Sequence, residues 1–330
     1  MKPKIGIIMG DPAGIGPEIT AKSLASPEIQ NVCDPMVIGD FRILRKALAA
    51  FGGNRPVRVF LDGAAVQFEA GTLSVLDTGN TDPEKVSLGQ PSAMGGKAVF
   101  EDVSLAVRLA QEKKIDGIVA GPHNKYSVNL SGVSFAGYPP LMAKLTGSRF
   151  AFNMLVAGSL RIVGATLHLP LKEISNALTP ELVLAVIEAA NVAVKRLILQ
   201  PPKIAVAGLN PHCGEEGLFG TEEKTVIEPA IQAARSKGID VSGPFPADSL
   251  FVGIDKKQDF DAYVAMYHDQ SHIPIKTVAF DRIVGFIIGT PLVIATVGHG
   301  SAFDIAGKGI ASPSPMIETI QLVARSCLPG

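Results

Sequence analysis

The stretch Tyr267-His268-Asp269-Gln270-Ser271-His272 gathers two imidazoles and a carboxylate, and Lys276 adds an ammonium beyond Pro274. An apolar run from Ala262 to Met266 precedes it and reads as a short buried strand. In open α/β sheets ligands bind beyond the carboxyl ends of the strands, so chemistry is expected at this strand tip. A tip so crowded with titratable groups is costly unless it binds something. His268-Asp269-x-x-His272 has the outline of a metalloprotease signature, which needs both histidines on one face of a sustained helix. The apolar run before it and Pro274 after it predict no such helix. Metal binding by His268 with ligands from elsewhere in the chain is the more attractive reading, and a hydrogen-bonded histidine with no ligand role is the alternative.

The chain has six histidines: His123, His168, His212, His268, His272 and His299. Each follows a predicted strand end beside Gly, Pro or Asp, and none is predicted on a surface helix. Three imidazoles from separate strand tips can converge on one divalent cation and leave positions open for substrate oxygen. The competing reading is that they cap turns and satisfy loop backbone. Spacing alone does not say which histidines belong together, and the lone Cys213 beside His212 adds little.

The elements that must position these groups alternate between strand and helix. Strands are predicted at Lys4 to Met9, Pro35 to Gly39, Val57 to Leu61, Ile115 to Ala120, Lys203 to Ala207 and Leu292 to Val297. Helices are predicted from Phe41 to Phe51 capped by Asp40, from Ser92 to Lys113, from Pro180 to Leu197 capped by Thr179, from Glu222 to Ser236, and from Pro315 to Ala324. Phe150 to Ala157 and Leu160 to Thr166 read as a hairpin turning at Gly158-Ser159. The pattern argues for α/β architecture with mostly parallel sheets. Gly10-Asp11-Pro12-Ala13-Gly14-Ile15-Gly16 joins a strand to a helix, but it lacks the third glycine of the dinucleotide fingerprint and the Gly-Lys-Ser/Thr of a phosphate loop.

At 330 residues, with 47% hydrophobic and 18% charged residues, the chain has room for two domains around large internal sheets. A formal net charge of −1 provides no global basic field to attract nucleic acid or an anionic membrane. No apolar run approaches membrane-spanning length, and the short start Ile5-Gly6-Ile7-Ile8-Met9 is not expected to act as a signal peptide. Cys33, Cys213 and Cys327 are scattered and odd in number, which leads to the expectation of a reducing, cytoplasmic setting.

Six blocks carry a family resemblance. They are Gly10-Asp11-Pro12-Ala13-Gly14-Ile15-Gly16-Pro17-Glu18, Thr166-Leu167-His168-Leu169-Pro170, Leu209-Asn210-Pro211-His212, Gly243-Pro244-x-Pro246-Ala247-Asp248, Tyr267-His268-Asp269-Gln270 and Gly298-His299-Gly300-Ser301-Ala302. In this order, across nearly the whole chain, they resemble the 4-hydroxythreonine-4-phosphate dehydrogenase family. The segment His299 to Pro313 is also similar to the adenine-side loop of isopropylmalate-type dehydrogenases, which bind dinucleotide without the usual glycine fingerprint. The resemblance implies two α/β domains with an interdomain cleft, as in isopropylmalate and isocitrate dehydrogenases. The expected limits are 1–130 plus 300–330 for the first domain and 131–299 for the second, which would carry most metal and dimer contacts. It implies a homodimer with a shared active site and a divalent metal (Zn, Mg, Mn or Co) on His168, His212 and His268. NAD or NADP would be held partly by Gly298, His299, Gly300, Ser301 and Asp304. Lys276, Asp269, Asp248 and Lys125 fall at matched catalytic positions, with either lysine as the catalytic one.

The departures from the family pattern bear on substrate. Where members acting on phosphorylated hydroxythreonine carry Gly-His-Thr-Glu, this chain has Gly137-Tyr138-Pro139-Pro140, and the family's phosphate-side Asn and Arg correspond to Gly285 and Ile294. A phosphate monoester wants charge-assisted donors. Their loss, with Phe135-x-Gly137-Tyr138-Pro139, looks like the terephthalate cis-dihydrodiol dehydrogenase branch, with Tyr138, Lys276 and Gly285 at the substrate. The expected reaction is oxidation of a hydroxyl β to a carboxylate with decarboxylation, taking terephthalate cis-dihydrodiol (1,2-dihydroxy-3,5-cyclohexadiene-1,4-dicarboxylate) to protocatechuate. The alternative is oxidation of 4-phosphooxy-L-threonine, and a metallohydrolase is the alternative of another class.

Overall fold

Ile5, Ile7 and Ile8 are fully buried in the first strand, β1 (Lys4–Ile8), as expected for a parallel strand covered on both faces. The structure is a computed structural model and describes every residue except Met1, Asn54, Ala65, Ala70, Pro329 and Gly330. The chain divides into two units, Met1–Gly147 with Pro291–Pro329, and Ser148–Thr290.

In the first unit β1 is followed by β2 (Asp34–Gly39), β3 (Val57–Leu61), β4 (Leu73–Asp77) and β5 (Gly117–Ala120). The second unit contains β6 (Phe152–Ala157), β7 (Leu160–Gly164), β8 (Ile204–Ala207), β9 (Val241–Phe245), β10 (Ala262–Ala265) and β11 (Val284–Ile288), after which β12 (Ile294–Val297) returns to the first. The first unit orders its strands β3-β4-β2-β1-β5-β12, every pair parallel. The second orders them β11-β6-β7-β10-β8-β9. There β11 and the hairpin β6-β7 pair antiparallel, while β7, β10, β8 and β9 run parallel. The mostly parallel α/β architecture is as the alternating pattern requires.

The predicted caps are in place. Asp40 accepts from the Arg42 amide at 2.9 Å and Thr179 from Leu182 at 3.1 Å, and Ser92, read as the first residue of its helix, is instead its cap, accepting from Gly95 at 3.0 Å. The helix Pro180–Ile198 buries Val183, Val186, Ile187, Ala190 and Val194, one apolar stripe at helical spacing. Among the described residues no single helix is long and apolar enough to cross a membrane.

Three expectations are corrected. The unit limits lie at Gly147 and Pro291 rather than at 130 and 300, because the helix Tyr138–Thr146 packs on the helix Ala93–Gln111 and β12 pairs with β5. Strands β4, β9 and β11 went unread. Pro274 also fails to prevent a helix, since His268–Ala279 is helical with the proline inside it. An interior proline costs about 3 kcal/mol. Burial of one large aliphatic side chain returns roughly 1.5–3 kcal/mol. Ile275 and Ala279 beyond the proline are buried at 0% and 4% exposure, and Ile275 joins the core with Ile162, Ala205 and Tyr263.

Candidate active site

Strands β7, β10 and β8 are neighbours in the sheet of the second unit, and they lead into the segments carrying His168, His268 and His212 respectively. Parallel pairing therefore delivers three of the six histidines to one edge. Hydrogen bonds continue past the strands. Ala165 donates to the Ala265 carbonyl at 2.8 Å, and the Thr166 hydroxyl donates to the Met266 carbonyl at 2.8 Å. Buried Gln270 accepts from the Met266 amide at 2.6 Å and donates to the Gly208 carbonyl at 2.8 Å.

The His168 and His268 rings lie 5.8 Å apart between centroids, tilted by 39°. His268 and His272, one turn apart on the helix, stack at 3.8 Å and 12°. The His268 Nδ1 donates to the Asp269 carboxylate at 2.6 Å, leaving its Nε2 as the acceptor nitrogen. His272 turns its Nδ1 to the His268 carbonyl and the Ser271 hydroxyl, both at 2.9 Å. Burial, then the neighbouring His268 imidazole, pushes His272 down to about 4, so it is neutral at physiological pH. Lys276 continues the same helix face in the sequence i, i+4, i+8 and is exposed.

His212 stands on an unusual turn. His212, Cys213, Glu215 and Glu216 have φ of 52°, 54°, 43° and 58°, a left-handed winding that costs L-residues roughly 1–2 kcal/mol each. Gly214 completes the turn at +79°, where a Cβ would lie 2.7 Å from the Gly220 carbonyl. The His212 ring packs 6.4 Å from that of Phe219. Glu222 is held below the usual carboxylate range by hydrogen bonds from Ser175 and Asn210.

The structure thus brings His168 and His268 together with His272, and it sets His212 on the adjacent tip without joining it to them. Among the described residues no three His, Cys, Asp or Glu side chains form a group set to hold a metal ion. In kind the donors fit a divalent cation, because His268 presents an anchored imidazole backed by a carboxylate with a second imidazole beside it. Asp248 is exposed on the short helix Ala247–Leu250 of the same unit.

In the first unit the expected cofactor residues follow β12. Gly298, Gly300 and Asp304 are exposed, His299 is partly exposed, and Ser301 is buried. The glycine-rich turn after β1 packs directly on this segment. Ile15 donates to the Ser301 carbonyl at 3.0 Å, and a Cβ on Gly14 would lie 2.8 Å from that of Ser301. Lys22 donates to the carbonyls of Gly309 (2.9 Å) and Ala311 (2.8 Å) and to Glu18 (2.7 Å), tying the loop to the first helix. Beside it lies a recess of about 270 Å³ lined by Pro12, Ile43, Lys46, Phe51, Leu88 and Gly307. Sequence reasoning missed Lys22, Thr166 and Gln270. Thr166 and Gln270 stood in blocks that had drawn attention.

Two expected substrate residues are interior. Tyr138 is 3% exposed and packs edge-on against His123 at 4.5 Å and Phe135 at 5.9 Å. Its buried hydroxyl has no partner, and burial pushes it above the usual phenol range. Burial likewise pushes His123 down to about 4. Gly285 lies in the buried strand β11 opposite Leu155, and Ile294 in β12 is 1% exposed. Their apolar character follows from interior strand positions and does not define an apolar substrate pocket. Lys125 is exposed at the start of the helix Lys125–Leu130, which Asn124 caps.

Two α/β units, one with titratable groups gathered at adjacent parallel strand tips, define an α/β metabolic enzyme of the dehydrogenase class. Within that class the chain belongs to the family of pyridoxal phosphate biosynthetic protein PdxA, whose model matches residues 31–323. It is 41% identical over 320 residues to a D-threonate 4-phosphate dehydrogenase of Cupriavidus necator, covering 97% of this chain and 96% of the relative. The crystal structure of a 4-hydroxythreonine-4-phosphate dehydrogenase from Burkholderia phymatum superposes with a TM-score of 0.85 at 39% identity, covering 99% of this chain and 98% of the other. A terephthalate 1,2-cis-dihydrodiol dehydrogenase from Burkholderia xenovorans superposes with a TM-score of 0.71 at 34% identity, over 98% of both chains.

Proposed function

We propose that this dehydrogenase oxidises the hydroxyl β to the carboxylate of a 4-phosphorylated four-carbon acid of the threonate or hydroxythreonine type, with decarboxylation and NAD or NADP as hydride acceptor. The observation that carries this reading is the 41% identity, over 97% of the chain, to a relative named D-threonate 4-phosphate dehydrogenase. The ring-diol expectation gives way to it. The terephthalate enzyme is the more distant structural match, and the apolar residues that suggested a flat pocket, Tyr138, Gly285 and Ile294, are interior.

His168, His212 and His268 would hold one divalent cation (Zn, Mg, Mn or Co), which supplies Lewis-acid charge beside the substrate oxygens. The nicotinamide supplies the hydride acceptor, with Gly298, His299, Gly300, Ser301 and Asp304 and the adjoining recess as its protein setting. Asp269 fixes the proton on His268 Nδ1 and keeps Nε2 available. Lys276, on the histidine face of its helix, would pair with the substrate carboxylate or the charge left as it departs, and Asp248 is the candidate proton acceptor. Lys125 is the second candidate for the lysine role. A cytoplasmic homodimer with a shared active site completes the reading. Leu171 (72%), Leu218 (73%), Val252 (78%) and Phe280 (78%) of the second unit are exposed, and we take them as the candidates for that subunit contact.

The test follows reduced nicotinamide by absorbance, with added divalent metal, on D-threonate 4-phosphate, 4-phosphooxy-L-threonine and terephthalate cis-dihydrodiol. Turnover of a phosphorylated acid with release of carbon dioxide supports the proposal. Turnover of the ring diol alone, or no nicotinamide dependence, overturns it.

A further inference from the structure

The carboxylate of Glu18 is only half used. Glu18 is 5% exposed on the first helix, Gly16–Ala25, and its Oε1 accepts from the Lys22 ammonium at 2.7 Å and from the Ala311 amide at 2.9 Å. Its Oε2 is buried and has no hydrogen-bond partner. A buried carboxylate oxygen without a donor is costly, and native proteins rarely leave one so unless a water or a ligand completes it. Glu18 lines the recess of about 270 Å³ in the first unit, together with Pro17, Ile43, Ala47, Phe51, Val86 and Leu88. The one other charged lining residue, Lys46, is exposed. The volume lies just below the roughly 300–1,000 Å³ of pockets that enclose a drug-sized ligand, so it suits one flat ring system rather than a whole dinucleotide. Gly307 of the segment after β12 lines the same recess, and Gly309 and Ala311 beyond it are tied to Lys22 and Glu18. The candidate cofactor segment and the half-used carboxylate therefore border one space.

We propose that this recess takes the adenine ring of the dinucleotide and that Oε2 of Glu18 accepts a hydrogen bond from its exocyclic amino group. Adenine suits both features, an aromatic body for the apolar walls and an N–H for the unpaired oxygen. Hypoxanthine has the same shape but carries a carbonyl oxygen in place of the amine, and the carboxylate would then set acceptor against acceptor. Glutamine at position 18 reverses the preference. Lys22 and Ala311 are both donors, so they hold the amide oxygen on their side and turn its NH₂ to the recess, where it fits a carbonyl and opposes an amine. This assignment rests on the nicotinamide reading proposed above.

The test is binding of NADH, NADPH and their hypoxanthine counterparts to the full chain by nicotinamide fluorescence titration. Wild type, Glu18→Gln and Ala47→Trp are compared, with thermal midpoints measured alongside. Wild type should prefer the adenine form roughly tenfold or more, the worth of one hydrogen bond to a charged group. Glu18→Gln should bring that ratio to unity or invert it, and Ala47→Trp, which fills the recess, should weaken both forms. A wild-type ratio of unity, or a ratio unchanged in folded Glu18→Gln, overturns the assignment. So does adenine-form affinity within about twofold of wild type in folded Ala47→Trp, a difference too small for a filled site. Should either variant fail to fold, the wild-type ratio and the other variant decide. If wild type binds none of the four dinucleotides, the nicotinamide reading itself fails; if it binds both bases alike, only the adenine assignment fails.

Discussion

Asp102 offers a quantitative check on the interior of the first unit. Its carboxyl is 2% exposed on the helix Ala93–Gln111, accepts from the Asn80 side chain at 2.9 Å, and is pushed up to about 7 by burial, with smaller contributions from Glu101 and Asp40. The folded chain therefore binds this proton more tightly than the unfolded chain, whose value is near 3.8. The stability it contributes is fully present below pH 3.8 and is lost progressively as pH rises through about 7. Each tenfold gain in proton affinity on folding is worth about 1.36 kcal/mol, so the ceiling on that loss is on the order of 4 kcal/mol. Asp102→Asn keeps the acceptor for Asn80 and cannot ionise. Urea unfolding of both proteins from pH 5 to pH 8 should give a wild-type curve that falls with pH and a variant curve that falls less. The variant should gain on wild type by roughly 2–3 kcal/mol between pH 5 and pH 8, most of it before pH 7. Parallel curves, or a variant that loses ground at pH 8, would falsify the raised carboxyl.

Other perturbations follow from the same geometry. Tyr138→Phe removes a buried hydroxyl that has no partner, so stability should hold or rise by about 1 kcal/mol and kcat/KM should stay within about twofold of wild type. A tenfold loss of kcat/KM would return Tyr138 to the substrate. Lys22→Met removes the ties to Gly309 and Ala311, and reduced-nicotinamide fluorescence titration should show cofactor affinity weakened roughly tenfold; unchanged affinity would detach this loop from cofactor binding. Sedimentation equilibrium should give twice the 34.5 kDa chain mass, with Phe280→Asp and Leu171→Asp shifting the protein toward monomer. A monomeric wild type at micromolar concentration would contradict the homodimer.

Much of the frame was legible because local rules agreed with the fold. Asp40 and Thr179 cap the helices they were expected to cap, and the β6-β7 hairpin forms around Gly158-Ser159. Pro274 misled because a local rule lost to a non-local one: Ile275 gains a core position that the proline's neighbours do not reveal. The position of Tyr138 was misread for a similar reason, since its burial depends on His123 and Phe135 arriving from the preceding loop. The histidines were identified as strand-tip residues, but their grouping depends on strand order, which spacing does not encode. His272 joined the cluster only because the helix exists, and the left-handed turn at His212 had no signal beyond its glycines.

The central claim is that imidazoles from three adjacent strand tips hold one divalent ion. Metal content of purified protein, after equilibration with a divalent cation and removal of excess, measures it directly. One cation per chain in wild type, falling at least roughly tenfold in each of His168→Ala, His212→Ala and His268→Ala, is the result expected. A full complement of metal in any of the three variants, or none in wild type, would contradict the account.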